Sequence, residues 1–423
     1  MSKRTGIGRR WQAFVPSGWL ARRARDVGFG ERNRKLTPTR FFWIVVLGFG
    51  MKGAKTLRGL ARFFTELTGI AVTDTAVQER FSETTVAFFE KAYQGLVQRA
   101  WGRVHVRLRQ ELARFKDINL VDSTVLRLGD RLAKIFGACR TNHTKAALKV
   151  HTVMSLKRAQ VERMALTAER VHDRKGLEGA PWMNAKLLLF DLGYFCYPLF
   201  SSICAHGGSF VTRLKTRANG MVLDVGRGVL GPARSIGRKL NDCVFEGDVS
   251  DLDVAFGTGR DAVALRVIRI RGRMGTPDHW YVTDLSPEEF SPEEIAELYR
   301  LRWQIELLFK ELKSEVALDE MPSQREEVVR VLVYATLIAI VLSRFICGEA
   351  AERAKLDPEI LVPRLATRIV GEFASRLGEQ LLTQGPRHLR KVLEDLLWTI
   401  AVHAREPNPG RPRAVRVQGR ADR

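Results

Sequence analysis

Tyr299-Arg-Leu-Arg-Trp-Gln-Ile-Glu-Leu-Leu-Phe-Lys-Glu-Leu-Lys313 is the most informative stretch of this chain. Placed on an ideal helix of 3.6 residues per turn, Tyr299, Arg302, Glu306, Lys310 and Lys313 form one stripe. Leu301, Ile305, Leu308 and Leu312 form the opposite stripe, at the spacing of a core-facing side. Trp303 falls beside the polar stripe. Arg302–Glu306 and Glu306–Lys310 are i,i+4 partners, and a solvated helix can carry such a ladder for its own stability alone. That reading covers the charges. It leaves an exposed tryptophan and a single acid among bases without a reason.

Upstream of this helix, which is expected to start at Ser291, the chain alternates and is broken by glycines from Ser209 to Thr283. Phe210–Lys215, Met221–Val225, Ala262–Ile270 and Trp280–Thr283 read as strands of an antiparallel block. Before them, Lys186-Leu-Leu-Leu-Phe-Asp191 is a short apolar run ending in an acid and then Leu-Gly. That is the profile of a buried parallel strand with a loop at its carboxyl end. Ile118–Leu128, which carries Asp122, and the runs Ala146–Leu156 and Val161–Val171 predict further strands.

Helices are expected on both sides of this region. Leu57, Leu60, Ala61 and Phe64 recur at helical spacing, Gly69 stops that helix, and Thr73 or Asp74 caps the next. The pair allows a helix-turn-helix or a plain helical packing unit. Val331–Ile346 has no charge until Arg344, is shorter than the ~20 residues of a membrane span, and reads as a buried core helix, so no transmembrane segment is expected. The segment from Arg405 is rich in Pro and Arg. The order of elements therefore predicts an α/β core with an antiparallel β insertion and helical flanks.

Composition narrows the partners. The 423 residues suffice for two or three domains, and 45% hydrophobic content suits packed cores. Sixty-nine Lys and Arg against 47 acids leave +22, a field that attracts polyanions. Nucleic acid, an anionic membrane surface and ribosomal RNA all satisfy that arithmetic. The cysteines Cys139, Cys196, Cys204, Cys243 and Cys347 are odd in number and never in a C-x-x-C pair, which fits a reducing cytoplasm and excludes a cysteine zinc site. The basic N-terminus lacks the apolar stretch of a signal peptide. The eight histidines show no metal-ligand spacing.

Tyr299-x2-Arg302-x3-Glu306-x6-Lys313 resembles the Tyr-Arg-Glu-Lys signature of DDE transposases of the insertion-sequence-four family. Asp122-Ser-Thr is similar to that family's first acid, and Asp191-Leu-Gly-Tyr194 to its second. The resemblance runs in order from about Asp122 to Lys313, while the two ends match only as basic, helical segments. It implies an RNase H-like catalytic core over 114–347, with the β insertion at about 209–283. It further implies a basic helical region over 1–113 that binds DNA ends, and a helical region over 348–423 suited to dimerisation.

The resemblance implies that Asp122, Asp191 and Glu306 hold two Mg²⁺ ions, with Mn²⁺ as a substitute. Two such ions about 3.5–4 Å apart activate a water and neutralise the leaving oxygen of a phosphodiester, and carboxylate oxygens suit these hard cations. Taken singly, Asp122 and Asp191 are better explained as turn caps. By the same resemblance Tyr299, Arg302, Lys310 and Lys313 contact phosphates, and Arg213 and Lys215 lie on a DNA-facing strand. Trp280 receives a flipped base, with Trp303 as the alternative. For Arg213 and Lys215 ordinary strand alternation, and for Trp280 burial in a core, stand equally open. The implied partners are double-stranded DNA, as element ends and target, and a second copy of the chain on DNA. The implied location is the bacterial cytoplasm and nucleoid, with no membrane. Two other classes stay open: a catalytically inactive DNA-binding descendant, and a metal-dependent nuclease of RNase H type.

Overall fold

The computed structural model describes residues 6–30, 35–51, 54, 56–100, 112–139, 144–158, 160–257, 262–272, 276–314, 323–356, 360–383 and 386–405. The N-terminal helices are α1 (Ile7–Phe14), α2 (Trp19–Arg25), α3 (Pro38–Trp43), α4 (Leu57–Thr68), α5 (Asp74–Gln78) and α6 (Glu83–Ala100). The strands and their intervening helices follow as β1 (Asp117–Leu128), β2 (Ala146–Ser155), β3 (Gln160–Ala168), β4 (Lys186–Phe190), α7 (Tyr197–Ala205), β5 (Ser209–Arg213), β6 (Met221–Arg227), α8 (Pro232–Ser235), β7 (Val249–Phe256), β8 (Val263–Ile270) and β9 (His279–Thr283). The chain then turns helical again in α9 (Pro292–Arg300), α10 (Trp303–Ser314), α11 (Glu326–Ala354), α12 (Pro363–Glu372), α13 (Ala374–Leu382) and α14 (Pro386–His403).

Among the described residues, nine strands share one mixed sheet, ordered β3-β2-β1-β4-β5-β9-β8-β7-β6. β1, β4 and β5 run parallel, and every other neighbour is antiparallel. This corrects the expected antiparallel block at one strand. β5 pairs in parallel with β4 on one side and antiparallel with β9 on the other. Its alternation was visible in the sequence, but strand direction depends on which neighbour the chain reaches. The remaining strands of the block, β6, β8 and β9, together with β7, extend the same sheet.

The sheet is covered on both faces. Along β4, Leu187 and Leu189 pack into the core shared with the flanking helices, whereas Leu188 and Phe190 pack with Phe200 and Ile203 of α7 on the other face. The all-apolar reading of this run follows from that double burial. At the centre of the helical layer is α11, buried from Val328 to Ala351 almost without interruption. Its length and hydropathy would suit a membrane span, but it is sheathed by protein. Phe14 of α1 stacks on Phe345 of α11 at 4.0 Å, and Trp11 lies 6.1 Å from both Trp43 and Phe345. The N- and C-terminal helices thus share one core, and the boundary expected between 347 and 348 falls inside α11, a continuous helix.

Local signals are used as expected in α4. Thr56 caps it, accepting from the Gly59 N–H, and Gly69 ends it at φ +69°, a left-handed conformation that costs glycine least. Thr73 then caps α5. With five residues, α5 is too short to be the second helix of a full helix-turn-helix.

Candidate active site

Parallel pairing of β1 with β4 ends at Val121↔Phe190, so Asp122, still in β1 and paired with Thr152 of β2, and Asp191, just past the end of β4, lie side by side. This is the carboxyl end of the parallel strands, where open α/β sheets bind ligands because loops diverge there. Asp122 accepts a bond from the Ser123 N–H at 2.7 Å. Asp191 precedes a tight turn in which the Tyr194 N–H donates to the Asp191 carbonyl at 3.0 Å.

A capping box starts the third element. Ser291 Oγ accepts from the Glu294 N–H, and the Glu294 carboxylate accepts from the Ser291 N–H. The single helix expected over Tyr299–Lys313 is in fact two, α9 and α10, joined at Leu301–Arg302. Bonds of i→i+3 type tighten the joint, from Arg302 N–H to the Tyr299 carbonyl and from Ile305 N–H to the Arg302 carbonyl, both 3.1 Å. Neither Gly nor Pro marks it. The apolar stripe nevertheless holds: Leu301, Ile305, Leu308 and Leu312 are all buried.

The joint carries the polar stripe over Asp122 and Asp191. Tyr299 donates its hydroxyl to Asp191 Oδ1 at 3.3 Å. Arg302 donates through Nη1 to Asp122 Oδ2 at 3.0 Å and through Nη2 to Glu306 Oε1 at 2.8 Å. Asp122, Asp191 and Glu306 are therefore gathered around one half-buried guanidinium and one buried phenol. Burial pushes the Asp122 carboxyl up to about 6; the Ser123 N–H and Arg302 oppose this, while Asp191 and Glu306 add to it. Burial also raises the Tyr299 hydroxyl. Arg302 holds its proton more tightly than usual: burial works against the charge, but Tyr299, Asp122, Asp191 and Glu306 outweigh it. Arg302 Nε is buried with no partner among the described residues. Among those residues, no three His, Cys, Asp or Glu side chains form a ready-made metal cage. The guanidinium is the cation between Asp122 and Glu306.

The other expected contacts separate. Arg213 is exposed at the end of β5, 5.8 Å above the Tyr299 ring and 3.4 Å from His279 Nδ1, so it borders the site. Lys215 is committed elsewhere, donating to the Phe195 carbonyl at 3.2 Å. Trp280 is half-buried on β9, edge-on to Phe245 at 5.0 Å and packed against the core on the α7 face. Trp303 is 47% exposed on α10, and Lys310 Nζ sits 5.1 Å from the centre of its ring. The side chain of Lys313 lies outside the described residues. A second polar cluster, with His151, Lys149, Asp173 and Tyr194, sits behind Asp122 and Asp191. The absence of metal spacing among the histidines gave no hint of it. The close glycines Gly176 and Gly193 were the available signal.

The chain belongs to the transposase DDE domain family, whose model matches residues 113–342, and it is a DNA transposase of that class. It is 22% identical to the transposase for insertion sequence element IS231F of Bacillus thuringiensis subsp. israelensis, over 78% of this chain and 77% of that one. To the transposase for insertion sequence element IS421 of Escherichia coli it is 25% identical, over 75% of this chain and 88% of that one. Its fold is similar to that of the piggyBac transposase in a synaptic complex with hairpin DNA, with a TM-score of 0.50 at 9% identity, covering 91% of this chain and 84% of that one.

Proposed function

We propose that this transposase binds the ends of an insertion sequence and cuts and rejoins DNA at Asp122, Asp191 and Glu306, as an enzyme of the insertion-sequence-four type. The observation that carries the proposal is the meeting of three acids from three separate elements around Arg302 and Tyr299. The strand order β3-β2-β1-β4-β5, with β1, β4 and β5 parallel, supports an RNase H-like core into which β6–β9 are inserted.

An all-carboxylate donor set is the chemistry that Mg²⁺ or Mn²⁺ selects. Asp122, Asp191 and Glu306 would hold the ions, which when bound supply a nucleophile at neutral pH and neutralise the leaving oxygen. The protein's own part is positioning. Tyr299 orients Asp191, and Arg302 spans Asp122 and Glu306, with its spare Nε–H left as a donor for a phosphate oxygen. Arg213, Lys310 and Lys313 supply cations along the phosphate path, while Lys215 buttresses the turn after β4. Trp303, exposed beside Glu306, offers the better face for an unpaired base than the half-buried Trp280. The region 1–113 is assigned to end binding and 348–423 to dimerisation on DNA, in a bacterial cytoplasm.

The test uses Mg²⁺ and DNA carrying the element's terminal repeats. Asp122→Asn, Asp191→Asn and Glu306→Gln should each abolish cleavage and strand joining while end binding and thermal melting stay as in the wild type. Near-normal cleavage by Glu306→Gln would overturn the assignment. Degradation without joining by the wild type indicates a nuclease, and binding alone an inactive descendant.

A further inference from the structure

We infer that Asp173, on the turn after β3, is a positioning residue that fixes the two acid-bearing segments relative to one another. The inference rests on the assignment of Asp122 and Asp191 to the active site. Asp173 Oδ1 accepts from Ser123 Oγ at 3.0 Å and forms an ion pair with Lys149 Nζ, also at 3.0 Å. Ser123 is the residue whose N–H binds the Asp122 carboxylate, so Asp173 grips β1 one residue from that acid. The other carboxylate oxygen lies against the turn after β4. A Cβ built on Gly193 would stand 2.6 Å from Asp173 Oδ2, so any larger residue there would push this carboxylate away from the turn.

A second tether reinforces the first. His151 Nδ1 meets the Tyr194 hydroxyl at 3.1 Å, while its Nε2 meets Thr167 Oγ1 at 2.8 Å. Tyr194 in turn closes the turn that begins at Asp191. Lys149 and His151 lie on β2, where they pair across the ladder with Val125 and Ser123. Lys149 also donates to the Val171 carbonyl at 2.8 Å, which anchors the loop bearing Asp173. One carboxylate therefore touches β1, β2 and the β4 turn at the level where both acids emerge. A residue whose only task was to stabilise the β3 turn would need Lys149 and not the contacts to Ser123 and Gly193. Carboxylates that orient first ligands in this manner alter metal affinity by about 10–100-fold when removed.

The experiment compares full-length wild type, Asp173→Asn, Ser123→Ala and Gly193→Ala, with Asp122→Asn as reference. Each is assayed for melting, for end binding, for Mn²⁺ binding to the DNA-free protein by electron paramagnetic resonance, and for the Mg²⁺ dependence of cleavage. Asp173→Asn should bind ends normally, bind Mn²⁺ about 10–100-fold more weakly, and recover cleavage as Mg²⁺ is raised. Ser123→Ala and Gly193→Ala should move both metal readouts in the same direction, which covers the case in which Asp173→Asn fails to fold. Wild-type Mn²⁺ affinity and Mg²⁺ dependence in these variants, with Asp122→Asn inactive, would overturn the positioning role alone. An active Asp122→Asn would instead overturn the site assignment beneath it.

Discussion

The helices α10 and α11 are neighbours with opposite characters. α11 carries no charge from Val331 to Ser343 and is buried for most of its 29 residues. α10 buries Ile305, Leu308 and Leu312 but leaves Trp303 and Leu307 exposed, and Glu306 faces the strand ends. A helix buried all round needs only apolar side chains, and its sequence says little about chemistry. A helix at an active site must bury one stripe and present another, and the second stripe records function. The pair is joined by a buried ion pair: Arg344 Nη2 of α11 donates to Glu311 Oε2 of α10 at 2.6 Å, and Thr367 of α12 donates to Glu311 Oε1, also at 2.6 Å.

Cutting that joint should have the largest effect on stability. Glu311→Ala removes the carboxylate that pairs with the buried Arg344 charge, at a cost of about 3–5 kcal/mol. Urea unfolding measures it, and a loss below about 1 kcal/mol would show that α10 is held by its apolar stripe alone. Ile338→Ala in α11 opens a cavity in the same core and should cost about 2–5 kcal/mol, whereas Leu307→Ala on the exposed face of α10 should stay within about 0.5 kcal/mol. Equal losses in these two would break the contrast between the helices.

Acid should separate the site from the helical core. Burial holds His151 down at about 4, against 6.5 for a free histidine; Asp173 opposes the shift and Lys149 adds to it. The unfolded chain therefore takes up the proton first. The contribution is complete above about pH 6.5, falls as pH drops toward 4, and amounts to about 3 kcal/mol. Unfolding of the wild type and of His151→Gln across this range measures it, and parallel curves would rule the contribution out. Hydrogen exchange should show β1 and β2 opening with acid before α11.

Trp303→Ala should change stability as little as Leu307→Ala, within about 0.5 kcal/mol, because the ring is exposed. End cleavage should nevertheless fall about five- to hundredfold if a base stacks there, with partial rescue by ends carrying an abasic position. Trp280→Ala should reverse the pattern, losing about 1–3 kcal/mol of packing with no rescue. A rescued Trp280→Ala beside an unaffected Trp303→Ala would exchange the two assignments.

Much of this was legible because it is local. The four-residue apolar run Leu187–Phe190 before Asp191, the stripe Leu301, Ile305, Leu308 and Leu312, the stop at Gly69 with a cap at Thr73 or Asp74, and the apolar length of α11 follow from periodicity and backbone preference within a few residues. Burial imposes those patterns wherever an element ends up. Other features required the folded chain. β5 became parallel because its partner is β4, and α9 parted from α10 at a joint that no Gly or Pro announces. Arg302 turned inward to bridge Asp122 and Glu306. Asp173, far from either strand acid in sequence, came to rest between their segments. Side-chain type and spacing state what an element can bury. Which charge meets which across 180 residues, as in Arg302 with Asp122, depends on strand order and loop closure, and only the tertiary structure decides it.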